Sequence, residues 1–243
     1  MILHPKRNKP LLGLLGPEGY VGKELLLELR KLRSLEVFPI LRETPLEPWI
    51  KNCKLLIHSA NSAKRFEANL HSEDDYENTV AKTKKILETF TSEILILIST
   101  ISCRTQIDTP YGMNRKLCED LVLDRGGKVF RLGPLYGGSR KRSTLHDIIE
   151  DKQVFYSDKT RYAYVDVKWA AAYIANSLHF DSGIFEIGAK NTVSLREIAD
   201  ALGSKSLFLG PQDDQFPENF NQGPDAYQVI TFATSIKFAA AHE

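Results

Sequence analysis

The chain has no apolar stretch approaching the roughly 18 residues of a membrane span. Its net charge is only +1, from 32 basic and 31 acidic residues. The first absence argues against a transmembrane helix. The second gives no electrostatic reason to expect a nucleic acid or an anionic membrane as partner. Cysteine is scarce and odd in number: Cys53, Cys103 and Cys118. Their spacing is not that of a metal-ligand set, so no metal is expected, and three cysteines fit a reducing compartment better than a disulfide framework. Met1 to Pro10 carry no apolar core of the kind a secretory signal needs, and the expected location is the cytoplasm. Internal repeats are missing too. The one basic cluster, Arg140-Lys141-Arg142, is short and reads as a solvated loop. What remains is an ordinary composition, 42% hydrophobic and 26% charged over 243 residues. That length can bury a core as one domain or as a domain with a lobe.

The chain is organised around Leu11–Leu27. An apolar run, Leu11 to Leu15, has the length of a buried strand. It breaks at Gly16, Gly19 and Gly22, and a helical apolar pattern follows at Leu25, Leu26, Leu29 and Leu32. Strand, glycine turn and helix in this order are the context of a dinucleotide-binding loop. Gly16 permits the sharp turn, Gly19 lets the backbone approach a pyrophosphate, and Gly22 lets helix and strand pack closely. The phosphates would sit on free N–H groups where Tyr20 and Val21 open the helix. The spacing is G-x-x-G-x-x-G rather than G-x-G-x-x-G.

A second strand is expected at Glu36–Leu41, with Pro39 pointing to an edge or irregular path. Arg42 follows it. At this place in a dinucleotide fold an acid suits a free ribose 2′-hydroxyl and an arginine suits a 2′-phosphate; plain surface charge at Arg42 and Glu43 is the alternative. The next strand, Lys54–His58, comes so soon that a full helix–strand unit is missing and the sheet should be narrow. His58 reads as structural, and Ser59-Ala60-Asn61 lies at the strand exit, where open α/β sheets bind ligands. A polar segment, Ala63–Tyr76, leads to a helix marked by Val80, Thr83, Ile86, Leu87 and Phe90. Further strands are expected at Ile94–Ile98, with hydroxyls at its exit, and at Lys128–Leu132. Thr109-Pro110 opens the helix between them, on which Tyr111 and Arg115 share a face. Beyond Gly133–Gly138 the rhythm changes. Helices are expected at Thr144–Glu150, Val167–Leu178 and Ala226–Ala241, and strands at Gln153–Tyr156 and Ile184–Ile187. Ser194 reads as the cap of a short helix with Glu197 closing a capping box, and Gly210 to Gln228 reads as loop.

Four separated motifs then line up: Gly16-x-x-Gly19-x-x-Gly22, Ile57-His58-Ser59-Ala60, Ile98-Ser99-Thr100 and Tyr111-Gly112-x-x-Arg115-x-x-x-Glu119. Together they resemble the ordered signatures of the extended short-chain dehydrogenase/reductase family. Asn78-Thr79-Val80, Arg131–Gly137 (with Pro134 and Leu135), Tyr164-Val165-Asp166, Gly183–Gly188 and Ser194–Glu197 extend the resemblance from about Leu11 to Gly203. The resemblance implies an α/β, Rossmann-like, doubly wound parallel sheet with helices on both faces and a small C-terminal substrate lobe. Residues 1–138 would bind the dinucleotide and residues 139–243 the substrate, with a segment at about 162–178 returning to the sheet.

It also implies a chemistry: hydride exchange between a nicotinamide and a carbinol or ketone of a nucleotide-activated sugar, by reduction or epimerisation. Tyr111 would move the proton, although an ordinary phenol, pKa about 10, is mostly protonated at neutral pH. A neighbouring cation favours the phenolate. The family places Lys at the fourth residue after the Tyr; here Arg115 stands there, with the charge but a different geometry, and Lys116 points about 100° away around the helix. Thr100 takes the place of the hydroxyl that donates to the substrate oxygen. Gly16, Gly19, Tyr20, Val21, Gly22, Arg42, Ser59, Ala60, Asn78, Pro134 and Leu135 would bind the cofactor, NADP by the Arg42 argument, with NAD the alternative. Ile101-Ser102 follows Thr100 where the family's dehydratases carry an Asp-Glu pair, which argues against a 4,6-dehydratase. A homodimer is compatible with the family. The rival reading is a protein that holds NADP(H) as a sensor or scaffold after losing catalysis.

Overall fold

The structure is a computed structural model that describes residues 9–140, 142–218 and 222–240. The first eight residues, with the signal-peptide reading placed on them, lie outside the described residues, as do Lys141 of the basic cluster and Ala241 at the end of the last expected helix. The chain divides into two units. One comprises residues up to Arg131 plus Ala171–Phe185; the other comprises Leu132–Ala170 and residues from Glu186 onward.

The chain carries a six-stranded sheet, most of whose residues belong to the first unit. Its strands are β1 (Leu11–Leu15), β2 (Glu36–Ile40), β3 (Leu55–His58), β4 (Ile94–Thr100), β5 (Lys128–Leu132) and a last strand at Gly183–Ile187. Their order is β2-β1-β3-β4-β5 followed by Gly183–Ile187. The pairs β1–β2, β1–β3 and β3–β4 are parallel. Helices cover the sheet, so its inner strands are apolar along their whole length rather than alternating. Every residue of β3 and of β5 is buried.

β2 is an edge strand, and Pro39, opposite Leu14, sits there without interrupting an inner ladder. Residues 41–54 hold only a one-turn helix, α2 (Pro48–Lys51), before β3 lands on the far side of β1. The missing helix–strand unit therefore leaves β2 as the sheet's outer edge. The direction of winding reverses between β1 and β3, and that is where open sheets of this kind form their ligand crevice.

α1 (Tyr20–Leu29) packs after β1. Between β3 and β4 run α3 (Arg65–Leu70), α4 (Ser72–Tyr76), a π-helical turn (Glu77–Ala81) and α5 (Lys82–Thr89). The polar segment Ala63–Tyr76 is thus largely helical, a correction to the sequence reading. Its charged face is satisfied locally, as where Lys64 Nζ meets Glu67 at 2.8 Å. After β4 come α6 (Ser102–Thr105) and α7 (Pro110–Leu123), the latter capped by Thr109, whose Oγ1 accepts from Gly112 N at 3.1 Å.

The second unit has its own core, with Leu145, Ile148, Tyr164, Val193, Leu195, Ile198 and Val229 at its centre. Helices stand at Thr144–Ile149, Leu195–Leu202 and Gln228–Ala240. The expected strand Gln153–Tyr156 is reduced to a single bridge between Val154 and Phe208, and Phe155 is 69% exposed. One buried neighbour in an alternating segment does not make a ladder.

The expected capping box at Ser194 forms in full. Glu197 Oε2 accepts from Ser194 N and from Ser194 Oγ, each at 2.7 Å, and Oε1 accepts from Tyr227 OH at 2.5 Å. The Tyr227 hydroxyl, then the Ser194 donors, hold the Glu197 carboxyl down at about 2. A depressed folded-state value means that the stabilisation is present above the ordinary carboxylate range, near 4.3, and is lost as pH falls from there toward 2. Melting temperatures between pH 5 and pH 2.5 should fall for the parent protein. They should fall less for Glu197→Gln, which starts lower; an equal slope in both would show that this carboxylate is not the linked group.

Candidate functional site

The turn after β1 is set by contacts between backbones. Gly16 has a φ of +77°, and a Cβ there would lie 2.7 Å from the Ser59 carbonyl oxygen. A Cβ on Gly22 would lie 1.9 Å from the Gly16 carbonyl oxygen. Both glycines are demanded by the fold, because the loop, the first turn of α1 and the exit of β3 touch through their main chains. Ser59 N donates to Leu15 O at 3.0 Å in the same junction.

Gly19 differs. It is the N-cap of α1, in extended conformation with φ −67° and ψ 164°. An added Cβ meets only Gly16 O at 3.3 Å and Ser59 O at 4.0 Å, so an alanine fits with a small shift. No side chain caps α1 and no acid stands in its first turn. The N–H groups of Tyr20, Val21 and Gly22 open the helix there, at the positive end of its dipole.

A groove of about 520 Å³ lies beside this junction, within the size range of small-molecule sites. Arg42 borders it from the exit of β2, Ala60, Asn61 and Ser62 from the exit of β3, and Asp75, Asn78 and Lys82 from the α4–α5 rod. The structure therefore brings together Arg42, Ala60 and Asn78 of the expected cofactor residues. Lys82 is not singled out by the sequence. Its ammonium donates to the Ala60 carbonyl oxygen. Burial, then the charges of Arg42 and Arg115, hold its pKa below the ordinary lysine range. The π-helical turn just before it inserts an extra residue per turn and resets the face that follows; π turns recur at functional sites, and nothing in the sequence marks this one.

Tyr111 and Arg115 are neighbours, as their spacing predicts. The guanidinium carbon of Arg115 stands 4.3 Å from the centre of the Tyr111 ring, and that of Arg65 stands 6.0 Å from it. Tyr111 is fixed at the start of α7, where its N–H donates to Asn69 Oδ1 at 3.1 Å. Arg115 is held on three sides. It donates to Asp75 Oδ2 at 2.9 Å, to Asp75 Oδ1 at 3.1 Å and to Ser62 O at 2.5 Å, and both partners of the ion pair are almost fully buried. Asn114 also donates to Asp75, at 3.0 Å. Asp75 sits in the run Glu73-Asp74-Asp75, which by sequence is a solvated acidic stretch; only the fold gives it a buried arginine. Lys116 pairs with Asp120 on its own helix.

Thr100 stands at the exit of β4, where its hydroxyl donates to Ser102 Oγ at 3.3 Å and accepts from Ser102 N at 3.3 Å. Its neighbour Ser99 faces inward and donates to Glu119 at 2.6 Å; Glu119 in turn holds Arg131 through a buried pair at 2.6 Å. These motif residues brace α7 against β4 and β5. His58 is structural: its Nε2 lies 3.1 Å from Thr83 Oγ1 and its Nδ1 accepts from Ala60 N at 3.2 Å. Burial, then Lys82, pushes the imidazole down to about 3, so it is neutral at physiological pH. Pro134 and Leu135 belong to the second unit, in which Pro134 O accepts from Val165 N at 3.1 Å. Among the described residues no group of His, Cys, Asp and Glu is placed to hold a metal ion, and no helix is long and apolar enough to cross a membrane.

No protein-family model and no curated protein sequence matches the chain. Solved structures do. The fold is similar to that of UDP-glucuronic acid 4-epimerase from Bacillus cereus, solved with UDP-glucuronic acid and NAD: TM-score 0.76 and 16% identity, covering 95% of this chain and 99% of that one. It is similar to UDP-N-acetylglucosamine 4-epimerase from Methanobrevibacter ruminantium M1, with TM-score 0.74 and 12% identity over 98% of this chain and 100% of that one. A third similar structure is RMD from Pseudomonas aeruginosa complexed with NADPH, with TM-score 0.67 and 16% identity over 93% of each chain. The Rossmann-like α/β fold expected from the sequence is thus the observed one.

Proposed function

We propose that the chain is an NADP(H)-dependent oxidoreductase that reduces or epimerises a nucleotide-activated sugar. The observation that carries the cofactor half of this reading is Gly19. The fold requires a glycine at positions 16 and 22 but not at 19, and what gains from a bare backbone there is a group approaching the uncapped start of α1. Tyr20, Val21 and Gly22 would present N–H groups to the pyrophosphate, Ser59, Ala60 and Asn78 would line the adenosine side, and Arg42 would meet a 2′-phosphate. Nucleotide-sugars are the ligands of two of the similar structures, and nicotinamide dinucleotides are bound in two, which supports the substrate class proposed here.

The bound nicotinamide supplies the hydride acceptor or donor. The chain's part is the proton and the orientation. Tyr111, fixed at the start of α7, exchanges a proton with the sugar oxygen. Thr100 turns its hydroxyl from Ser102 to that oxygen. Arg115 supplies a positive charge on the tyrosine face, while Asp75 and Ser62 fix its position. The same Arg115–Asp75 pair favours a second reading, a cofactor-holding sensor or scaffold, because the carboxylate paired with Arg115 opposes the field that an unpaired cation would offer the phenol.

The test is a pair of glycine substitutions. Gly19→Val should leave the protein folded, with the poorer N-cap costing about 1 kcal/mol or a few degrees in Tm, and should abolish NADPH binding. Gly22→Ala should fail to fold normally. Calorimetric titration and thermal melting on the same samples separate the two effects. Retained NADPH affinity in folded Gly19→Val would remove the loop from the cofactor site.

A further inference from the structure

The charges around the groove do not cancel where Arg42 and Lys82 stand. Lys64 is paired with Glu67 at 2.8 Å, and Asp75 is taken by Arg115 and Asn114. Arg42, exposed at the end of β2, has no hydrogen bond and no ion pair among the described residues. Lys82 has a backbone carbonyl and no carboxylate. The other groove acid, Asp74, is exposed on α4. Two cations from separate elements thus line one groove with no carboxylate as ion-pair partner to either among the described residues. Asp75, itself held by Arg115, favours the lysine's charge, while the larger effects of Arg42 and Arg115 disfavour it. Such an arrangement costs stability unless an anion enters it.

We propose that Arg42 and Lys82 together seat a phosphate monoester dianion, the 2′-phosphate of NADP(H), with Lys82 the second specificity-determining residue; the proposal rests on the dinucleotide reading above. The chemistry matches in charge and shape. A phosphate monoester carries close to two negative charges at neutral pH. A guanidinium fork can take two of its oxygens and an ammonium can take the third as a point charge. Lys82 has two further N–H donors beyond the one on Ala60 O, so it can reach the anion without breaking its present bond. Its hold on Ala60 O keeps it beside the exit of β3, on the opposite side of β1 from β2, from which Arg42 follows.

The experiment is calorimetric titration of the full chain with NADPH and NADH, and displacement of bound NADPH by 2′-AMP and by 5′-AMP. The unsubstituted protein should prefer NADPH, and 2′-AMP should displace it at lower concentration than 5′-AMP. Lys82→Gln and Arg42→Ala should each weaken NADPH about tenfold or more while leaving NADH within about twofold, and Lys82→Arg should keep the preference. Equal affinity for the two dinucleotides, or equal displacement by the two monophosphates, in the unsubstituted protein would overturn the proposal and leave the dinucleotide reading standing. A Lys82→Gln protein that loses NADPH and NADH alike would also overturn it, since the lysine would then serve a part common to both. Binding of neither dinucleotide would overturn both readings. The monophosphate comparison needs no variant, so it decides even if Lys82→Gln does not fold.

Discussion

Tyr111→Phe should keep NADPH affinity and stability close to those of the parent and lower turnover by about 10²–10⁴-fold, the usual contribution of a positioned acid–base group. The change removes one hydroxyl and leaves the features that place the ring. Asn69 still accepts the backbone N–H, Thr109 still caps α7, and Arg115 still lies 4.3 Å from the ring centre. The ring itself is only 6% exposed, so a phenylalanine fills the same volume. The assay is nicotinamide absorbance against a panel of 4-keto and 4-hydroxy nucleotide-sugars, with isotope exchange to expose an epimerase cycle that shows no net redox change. Turnover that survives the substitution unchanged would sink Tyr111 as the proton-transfer group. A parent protein that binds NADPH but turns over no nucleotide-sugar would instead favour the sensor or scaffold.

Much of the scaffold around this tyrosine is legible in the amino-acid sequence. β1, β3, β4 and β5 read correctly because inner parallel strands are buried on both faces, so their residues form unbroken apolar runs. Pro39 marks β2 as an edge, and the short gap to Lys54 reports the missing unit. Local chemistry is equally plain where it is self-contained, as in the Thr109 cap and the Ser194–Glu197 box. The candidate site is legible in part. Arg42, Ala60 and Asn78, which the sequence groups, line one groove, and Tyr111 meets Arg115. Three things are not legible. α3 and α4 are short and charged, so they bury too few residues to show a helical period. Asp75 finds its partner 40 residues away, a distance at which no local pattern survives. Lys82 owes its position to a π-helical turn, and a one-residue shift of face leaves no trace in composition. All three misses fall on the same side of the groove, which the sequence shows as polar linker and the fold turns into a wall.

The Asp75–Arg115 pair decides how far Arg115 is scaffold and how far it acts on the reaction. Breaking it on one side should be severe. Asp75→Ala leaves a guanidinium buried with only Ser62 O, and loss of one partner of a buried pair typically costs about 3–5 kcal/mol. For a protein of this size that is a fall in Tm of about 6–20 °C. Replacing both partners at once should cost much less, because apolar groups of similar volume can fill a buried ion-pair site without a desolvation penalty. Asp75→Leu combined with Arg115→Met should therefore melt well above Asp75→Ala, and a methionine can keep contact with the tyrosine ring. Arg115→Lys should fall between, since an ammonium cannot reproduce the fork onto both Asp75 oxygens together with the bond to Ser62 O. Stability alone measures only the scaffold part, so the repaired double variant is the informative protein. If Arg115 acts on the reaction, that variant should hold NADPH as the parent does, with an unchanged KM for the sugar and a lowered kcat, because the nearer of the two positive charges at Tyr111 is gone, leaving Arg65 at 6.0 Å, while the packing is kept. Undiminished kcat in a stable double variant would make Arg115 a structural residue and leave Tyr111 to work without a cation from its own helix.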